Sequence, residues 1–256
     1  MIWVFGGTTE GKKCIAILDQ RNIPYIYSTK TKVIVSLGKN GSYSYGALDS
    51  AEMQNVFVKR GVTAVIDAAH PFAQILHENV FQVCEDLQVP LVRFERHFSQ
   101  EKSSTVHYEE NLDKIISNLE EESFKSIFVM TGVQNIPAYF DRGISGELHF
   151  RIIDCARSRR LAQEYGVDED HLHFFPATMN VDEQLHLMSS LGIDSMVTKE
   201  SGASGFFHDK VEVSERLQIP LYVWKRPKLP TYIYTVFSSD ELDEILNNLI
   251  DEEESA

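Results

Sequence analysis

Apolar residues fall along this chain in short β-branched or aromatic runs that alternate with stretches of helical spacing. The first run, Ile2-Trp-Val-Phe5, stops at Gly6-Gly-Thr-Thr-Glu-Gly11. Cys14, Ile15, Ile17 and Leu18 then recur as one helix face, which Asn22-Ile-Pro24 closes. Strands are expected at 25–29 and 32–37, with the turn residues Gly38-Lys-Asn-Gly41 behind them. A helix over 48–60 and an uninterrupted β-branched strand over 61–67 follow. That strand ends in Asp67-Ala-Ala-His-Pro-Phe-Ala73, where Pro71 keeps His70 out of helical geometry. A helix over 75–87 and a strand over 91–95 complete this half.

Residues 97–106 have no period and include Ser99, Ser103, Ser104 and Thr105, as expected of a crossover between a first domain, 1–98, and a second, 99–256. The pattern then restarts. Leu112, Ile115, Ile116 and Leu119 mark a helix, and Ser126-Ile-Phe-Val-Met-Thr-Gly132 is a strand ending at a glycine. Strands at 148–153 and 171–175 flank a helix carrying Arg157, Arg159 and Arg160. A helix near 180–191 leads to the strand 194–200 and the turn Ser201-Gly-Ala-Ser-Gly205. A helix over 208–217 and strands at 220–227 and 231–237 precede a last helix, started by Ser238-Ser-Asp-Glu241 and followed by a frayed tail over 251–256. The final strand and helix, about 229–256, could pack on either domain. Strand and helix alternate throughout, which predicts an α/β protein of two Rossmann-like domains with mostly parallel sheets facing a shared cleft.

The chemistry is expected where strands run out. A strand, a glycine turn and a helix N-terminus together present main-chain N–H groups and partial positive charge to a phosphate. Gly6, Gly7, Thr8, Thr9, Glu10 and Gly11 are therefore cofactor candidates, although Thr8 stands where the dinucleotide fingerprint has a third glycine. The same residues also suit a tight strand-to-helix connection with no ligand. After the second strand, Ser28 and Lys30 sit where an acid would hold ribose hydroxyls; hydroxyls and lysine suit a 2′-phosphate, and an ordinary polar loop has the same composition. His70 and Asp67 at a strand's carboxyl end are the acid–base candidates. The histidines at 171 and 173 have no third ligand at a recognisable spacing, so no metal site is expected.

Charge and cysteine usage narrow the classes. The formal net charge is −14, and Asp240, Glu241, Asp243, Glu244 and Asp251 to Glu254 supply much of the excess. An acidic chain of this kind disfavours nucleic acid, which needs a basic face. No apolar run approaches the about 20 residues of a membrane span. Cys14, Cys84 and Cys155 are widely spaced, as thiols of a cytoplasmic protein would be.

Four stretches, Gly6–Gly11, Asp67–Ala73, Thr131-Gly132, and Lys199-Glu-Ser-Gly202 followed by Lys210, resemble in order and separation the precorrin-6A reductase family, including its cobalt-precorrin-6A counterpart. Arg93, Arg96 and Arg226-Pro227 also fall where that family carries similar residues, whereas Ala69 replaces its usual threonine. The resemblance implies reduction of one macrocycle double bond to the 6B form in cobalamin biosynthesis, with NADPH or NADH as donor and a lean toward NADPH. It implies substrate contacts at Pro71, Phe72, Arg93, Arg96, Thr131, Gly132, Lys199, Glu200, Ser201, Gly202 and Lys210, and a tetrapyrrole as partner. A nicotinamide-dependent reductase of a smaller substrate and a non-catalytic nucleotide-binding module are the competing readings. The oligomeric state is not legible.

Overall fold

Ile2, Trp3, Val4 and Phe5 are all buried, and together they form β1 (Ile2–Phe5), a strand with apolar side chains on both faces. In a computed structural model, which describes residues 1–98, 101–176, 179–202 and 205–255, the chain continues through α1 (Thr9–Gln20), β2 (Tyr25–Thr29), β3 (Gly41–Tyr45) and α2 (Ser50–Arg60). The helix α2 starts at a capping box, Asp49 with Glu52, and stops at Gly61 with φ +59°. Next come β4 (Ala64–Asp67), α3 (Gln74–Leu87) and β5 (Leu91–Phe94). Then follow β6 (Val106–Glu109), α4 (Leu112–Glu122), β7 (Ser126–Met130), a 3-10 turn at Val133–Asn135, α5 (Ile136–Phe140) and β8 (Glu147–Arg151). The chain goes on through α6 (Ala156–Glu164), a 3-10 turn at Glu169–His171, β9 (Leu172–His173), α7 (Val181–Ser190), β10 (Ser195–Lys199), α8 (Phe207–Leu217) and β11 (Leu221–Trp224). It ends with β12 (Tyr234–Val236) and α9 (Ser239–Ser255). Ser99 of the expected crossover, Ala203 and Ser204 of the second glycine turn, and Ala256 lie outside the described residues.

The chain divides into two compact units, Met1–His97 with Pro227–Ala256, and Phe98–Arg226. In the first, all strand pairs are parallel and the order is β12-β5-β4-β1-β2-β3. Ile2 and Val4 pack on one face with Leu18 and Leu246, and Trp3 and Phe5 on the other with Met53 and Phe57. The second unit repeats this arrangement in the order β6-β11-β10-β7-β8-β9, again parallel throughout. There Ile127 and Val129 face one core, and Phe128 and Met130 the other. Coverage of both faces explains the continuous apolar runs of β1 and β7. The strand order reverses between β1 and β4 in the first sheet and between β7 and β10 in the second. Ligands of such sheets enter at this reversal, outside the carboxyl ends of the strands. Among the described residues no helix is long and apolar enough to cross a membrane.

Some elements differ from the sequence expectation. Residues 32–37 are not a strand; Ile34 is fully exposed there, and β3 forms instead from Gly41–Tyr45, in register with β2. Of 171–175 only Leu172–His173 pairs, while His171 closes the 3-10 turn. The chain is helical to Ser255, where a frayed tail was expected. Strand β6 and helix α5 are additional.

Candidate functional site

The glycine turn after β1 is held from two sides. Gly6 continues the ladder by donating its N–H to the Ser28 carbonyl at 2.9 Å. A Cβ on Gly6 would lie 2.1 Å from the Tyr27 ring, so only glycine fits beneath that tyrosine. Gly7, at φ +89°, donates its N–H to the Tyr27 hydroxyl at 2.8 Å. Thr8 caps α1: its Oγ1 accepts from the Gly11 N–H at 3.0 Å and donates to the Ala68 carbonyl at 2.6 Å. That last bond joins the turn after β1 to the turn after β4, across the point where the strand order reverses. Gly7 and Thr9 are exposed beside it. Glu10 is buried and pairs with Arg96 Nη2 at 2.9 Å, which ties α1 to the end of β5. Ser28 is buried and Lys30 exposed at the end of β2.

Beneath the second turn lies a buried charge cluster. Asp67 Oδ2 accepts from His77 Nδ1 at 2.6 Å and from the Tyr232 hydroxyl at 2.8 Å. Its Oδ1 accepts from Arg93 Nη1 at 3.0 Å and from the Ala69 N–H at 3.1 Å. Arg93 also donates to the Ala69 carbonyl at 3.0 Å and, through Nε and Nη2, to Glu95 Oε2 at 3.2 Å. His77 Nε2 meets the His70 carbonyl at 3.0 Å. Both ring nitrogens of His77 are thus engaged, Nδ1 by Asp67 and Nε2 by the main chain of His70. Burial opposes ionisation of Asp67, but the His77 hydrogen bond, the Arg93 and His77 charges and the Tyr232 hydroxyl outweigh it and hold its carboxyl below the ordinary value.

This geometry bears on two expectations. Asp67, an acid–base candidate from the sequence, is wholly buried and engaged on both oxygens, where it braces the turn. Arg93, 2% exposed and engaged by Asp67 and Glu95, is not presented to a substrate carboxylate. His77 was missed by sequence reading; it sits on the buried face of α3, where its spacing is that of any core position. His70 itself is exposed, with Nδ1 accepting from the Phe72 N–H at 3.3 Å, while Pro71 is buried and Phe72 half-buried.

In the second unit, Thr131 is buried, with Oγ1 3.2 Å from the Tyr139 hydroxyl, and Gly132 turns the chain at φ +90°. Lys199, at the end of β10, is half-buried with Nζ 5.1 Å from the Trp224 ring centroid; burial lowers its pKa to about 8. Glu200 is buried and accepts from the Arg226 N–H at 3.0 Å. Ser201 and Lys210 both donate to the Gly205 carbonyl, at 3.3 and 2.8 Å, and Gly202 is at φ +67°. Lys210 is also lowered to about 8, by burial first and by Arg151, against the opposing effect of Asp209. Its bond to the turn makes Lys210 a clasp. The reversal in each sheet therefore collects the candidates of its own unit.

A family model, precorrin-6x reductase CbiJ/CobK, matches residues 1–249. The chain belongs to this family. As a member it is an oxidoreductase of cobalamin biosynthesis, nicotinamide-dependent like the family, as the sequence resemblance led us to expect. It is 25% identical over 249 residues to the cobalt-precorrin-6A reductase of Methanocaldococcus jannaschii, covering 95% of each chain. Identity to the cobalt-precorrin-6A reductase of Salmonella typhimurium is 24% over 231 residues, 88% of this chain and 87% of that one. The precorrin-6A reductase of Mycobacterium tuberculosis is 22% identical over 244 residues, 93% of each. A solved structure, CobK precorrin-6A reductase, superposes with a TM-score of 0.77 over 97% of this chain and 96% of that one, at 19% identity, and shares the two-sheet α/β fold.

Proposed function

We propose that this chain reduces one carbon–carbon double bond of precorrin-6A, or of its cobalt-bearing counterpart, to the 6B form. The observation that carries the reading is the N-terminus of α1 at the β1/β4 reversal, in a chain that matches the family model over residues 1–249. The residues there fit a dinucleotide. Gly7 and Thr9 are exposed beside the helix N-terminus, and Gly6 leaves no side chain in the way. Since the Gly7 N–H is taken by Tyr27, the first turn of α1 and the Thr9 hydroxyl are the anion donors. A bound reduced nicotinamide supplies the hydride. Exposed Lys30 favours a 2′-phosphate and hence NADPH; Ser28, being buried, does not contribute.

The chain's own residues supply position and a proton. Asp67, His77 and Arg93 fix the turn from beneath, and His77 holds the His70 carbonyl. His70 is thereby fixed at its main chain while its ring stays exposed, as a proton donor requires. In the second unit Lys199 is the cation for a macrocycle carboxylate, with Thr131, Gly132, Ser201 and Gly202 shaping the turn beside it.

The test is anaerobic incubation with precorrin-6A, with and without cobalt, and each reduced nicotinamide in turn. Loss of nicotinamide absorbance with a matching macrocycle spectral change is the expected result. Dinucleotide binding without any hydride transfer would overturn it.

A further inference from the structure

We propose that Glu147, His149 and His171 bind one divalent transition-metal ion of the zinc class at the outer edge of the second sheet. Glu147 and His149 are alternate residues of β8, so they share a face of the strand. The register pairs Arg151 with His173, and continued two residues back it sets His171 beside His149. One ligand atom from each of Glu147, His149 and His171 lies within 4.8 Å of the other two. Glu147 Oε2 stands 3.9 Å from His149 Nε2. Donors around a tetrahedral zinc are roughly 3.4 Å apart, given bond lengths of about 2.0–2.2 Å. Closing that gap asks only for side-chain movement of exposed Glu147 and half-buried His171.

The surroundings complete the set. His149 is buried, and its Nδ1 lies 3.1 Å from His173 Nε2. With Nε2 directed at the ion, Nδ1 carries the proton and donates it to His173. A ligating imidazole is typically oriented in this way by a partner on its other nitrogen. Arg151, the next residue on that face, is drawn off by the Phe175 carbonyl at 3.0 and 3.1 Å. Two imidazoles and one carboxylate, with a fourth position for water, suit Zn²⁺, and Co²⁺ as its spectroscopic substitute. The ion would fasten β9, a strand of only Leu172–His173, to β8. The histidines at 171 and 173 alone lack a third ligand; parallel pairing with β8 supplies it from more than twenty residues upstream.

The experiment uses untagged, chelator-treated full-length protein titrated with Zn²⁺ by calorimetry and with Co²⁺ by visible absorption. The expected result is one equivalent of Zn²⁺ bound, a rise in thermal midpoint on loading, and Co²⁺ bands of a four-coordinate site. E147Q and H171A should each weaken binding at least about tenfold and abolish the rise in midpoint, without changing the midpoint of the metal-free protein. Should H171A not fold, E147Q reads the same site through an exposed side chain. Absence of stoichiometric binding, or binding unchanged in E147Q, would overturn the proposal.

Discussion

Replacing Asp67 by Asn probes the brace beneath the His70 turn most directly. The four groups bound to this carboxylate, His77 Nδ1, the Tyr232 hydroxyl, Arg93 Nη1 and the Ala69 N–H, are all donors. An asparagine keeps one acceptor oxygen and turns its NH2 toward donors on the other side. It also leaves Arg93 with Glu95 as its buried counter-charge. Removing one member of a buried ion pair typically costs about 3–5 kcal/mol. For a chain of this size that is a fall of roughly 6–20 °C in thermal midpoint. The pH profile gives a second readout. A carboxyl held low in the folded state stabilises above its unfolded pKa, about 4, and loses that contribution as pH falls through the folded value. Wild type should therefore lose stability steeply in acid, and D67N should be flatter over that range. Urea unfolding followed by circular dichroism from pH 7 to 3 measures both. A loss below about 1 kcal/mol at pH 7 with an unchanged acid slope would refute the reasoning.

Other outcomes follow from individual residues. His70→Ala should slow single-turnover reduction by about 10²–10⁴-fold while leaving dinucleotide binding intact; near-full reduction would remove His70 as the donor. Because burial lowers Lys199 to about 8, its charge is lost as pH rises through that value. KM for the macrocycle should climb above pH 8, and this climb should be absent in Lys199→Met. Gly6→Ala forces a methyl into the Tyr27 ring, so fluorescence titration should show dinucleotide affinity reduced at least about tenfold. Cys155 is exposed, and hydrogen bonds from Ser158 lower its pKa, while burial raises Cys14 and pushes Cys84 up to about 12. One equivalent of iodoacetamide should label Cys155 alone, as peptide mass mapping would report.

The architecture was legible where burial writes it into composition. Runs such as Ile2–Phe5 and Ile127–Met130 are apolar on both faces because both faces are covered. Edges write no such record. Val33, Ile34 and Val35 have high β-propensity but pair with no strand among the described residues, whereas Gly41–Tyr45, with two serines and two tyrosines, becomes β3 because β2 offers it a ladder. The turns after β1 and β4 were visible as glycine and proline chemistry, but what joins them was not. The Thr8 bond to Ala68 spans sixty residues, and Asp67 reaches Tyr232 from the far end of the chain. Arg93 read as a cation for a substrate carboxylate because sequence does not record that Asp67, twenty-six residues upstream, pairs with it. Local patterns revealed the places; pairings distant in sequence assigned the partners.

The sheet of the first unit takes its sixth strand from beyond the second unit, with β12 lying against β5. This ordering has a consequence for synthesis. The second unit is contiguous in sequence and can complete its sheet once Trp224 has left the ribosome. The first unit, although made earlier, waits with β5 as a bare edge and Asp67 without the Tyr232 hydroxyl until residues 232–236 arrive. Its buried charges are thus sealed last, so a nascent chain halted before Tyr232 would expose to proteases and to edge pairing the sheet that carries the glycine turn.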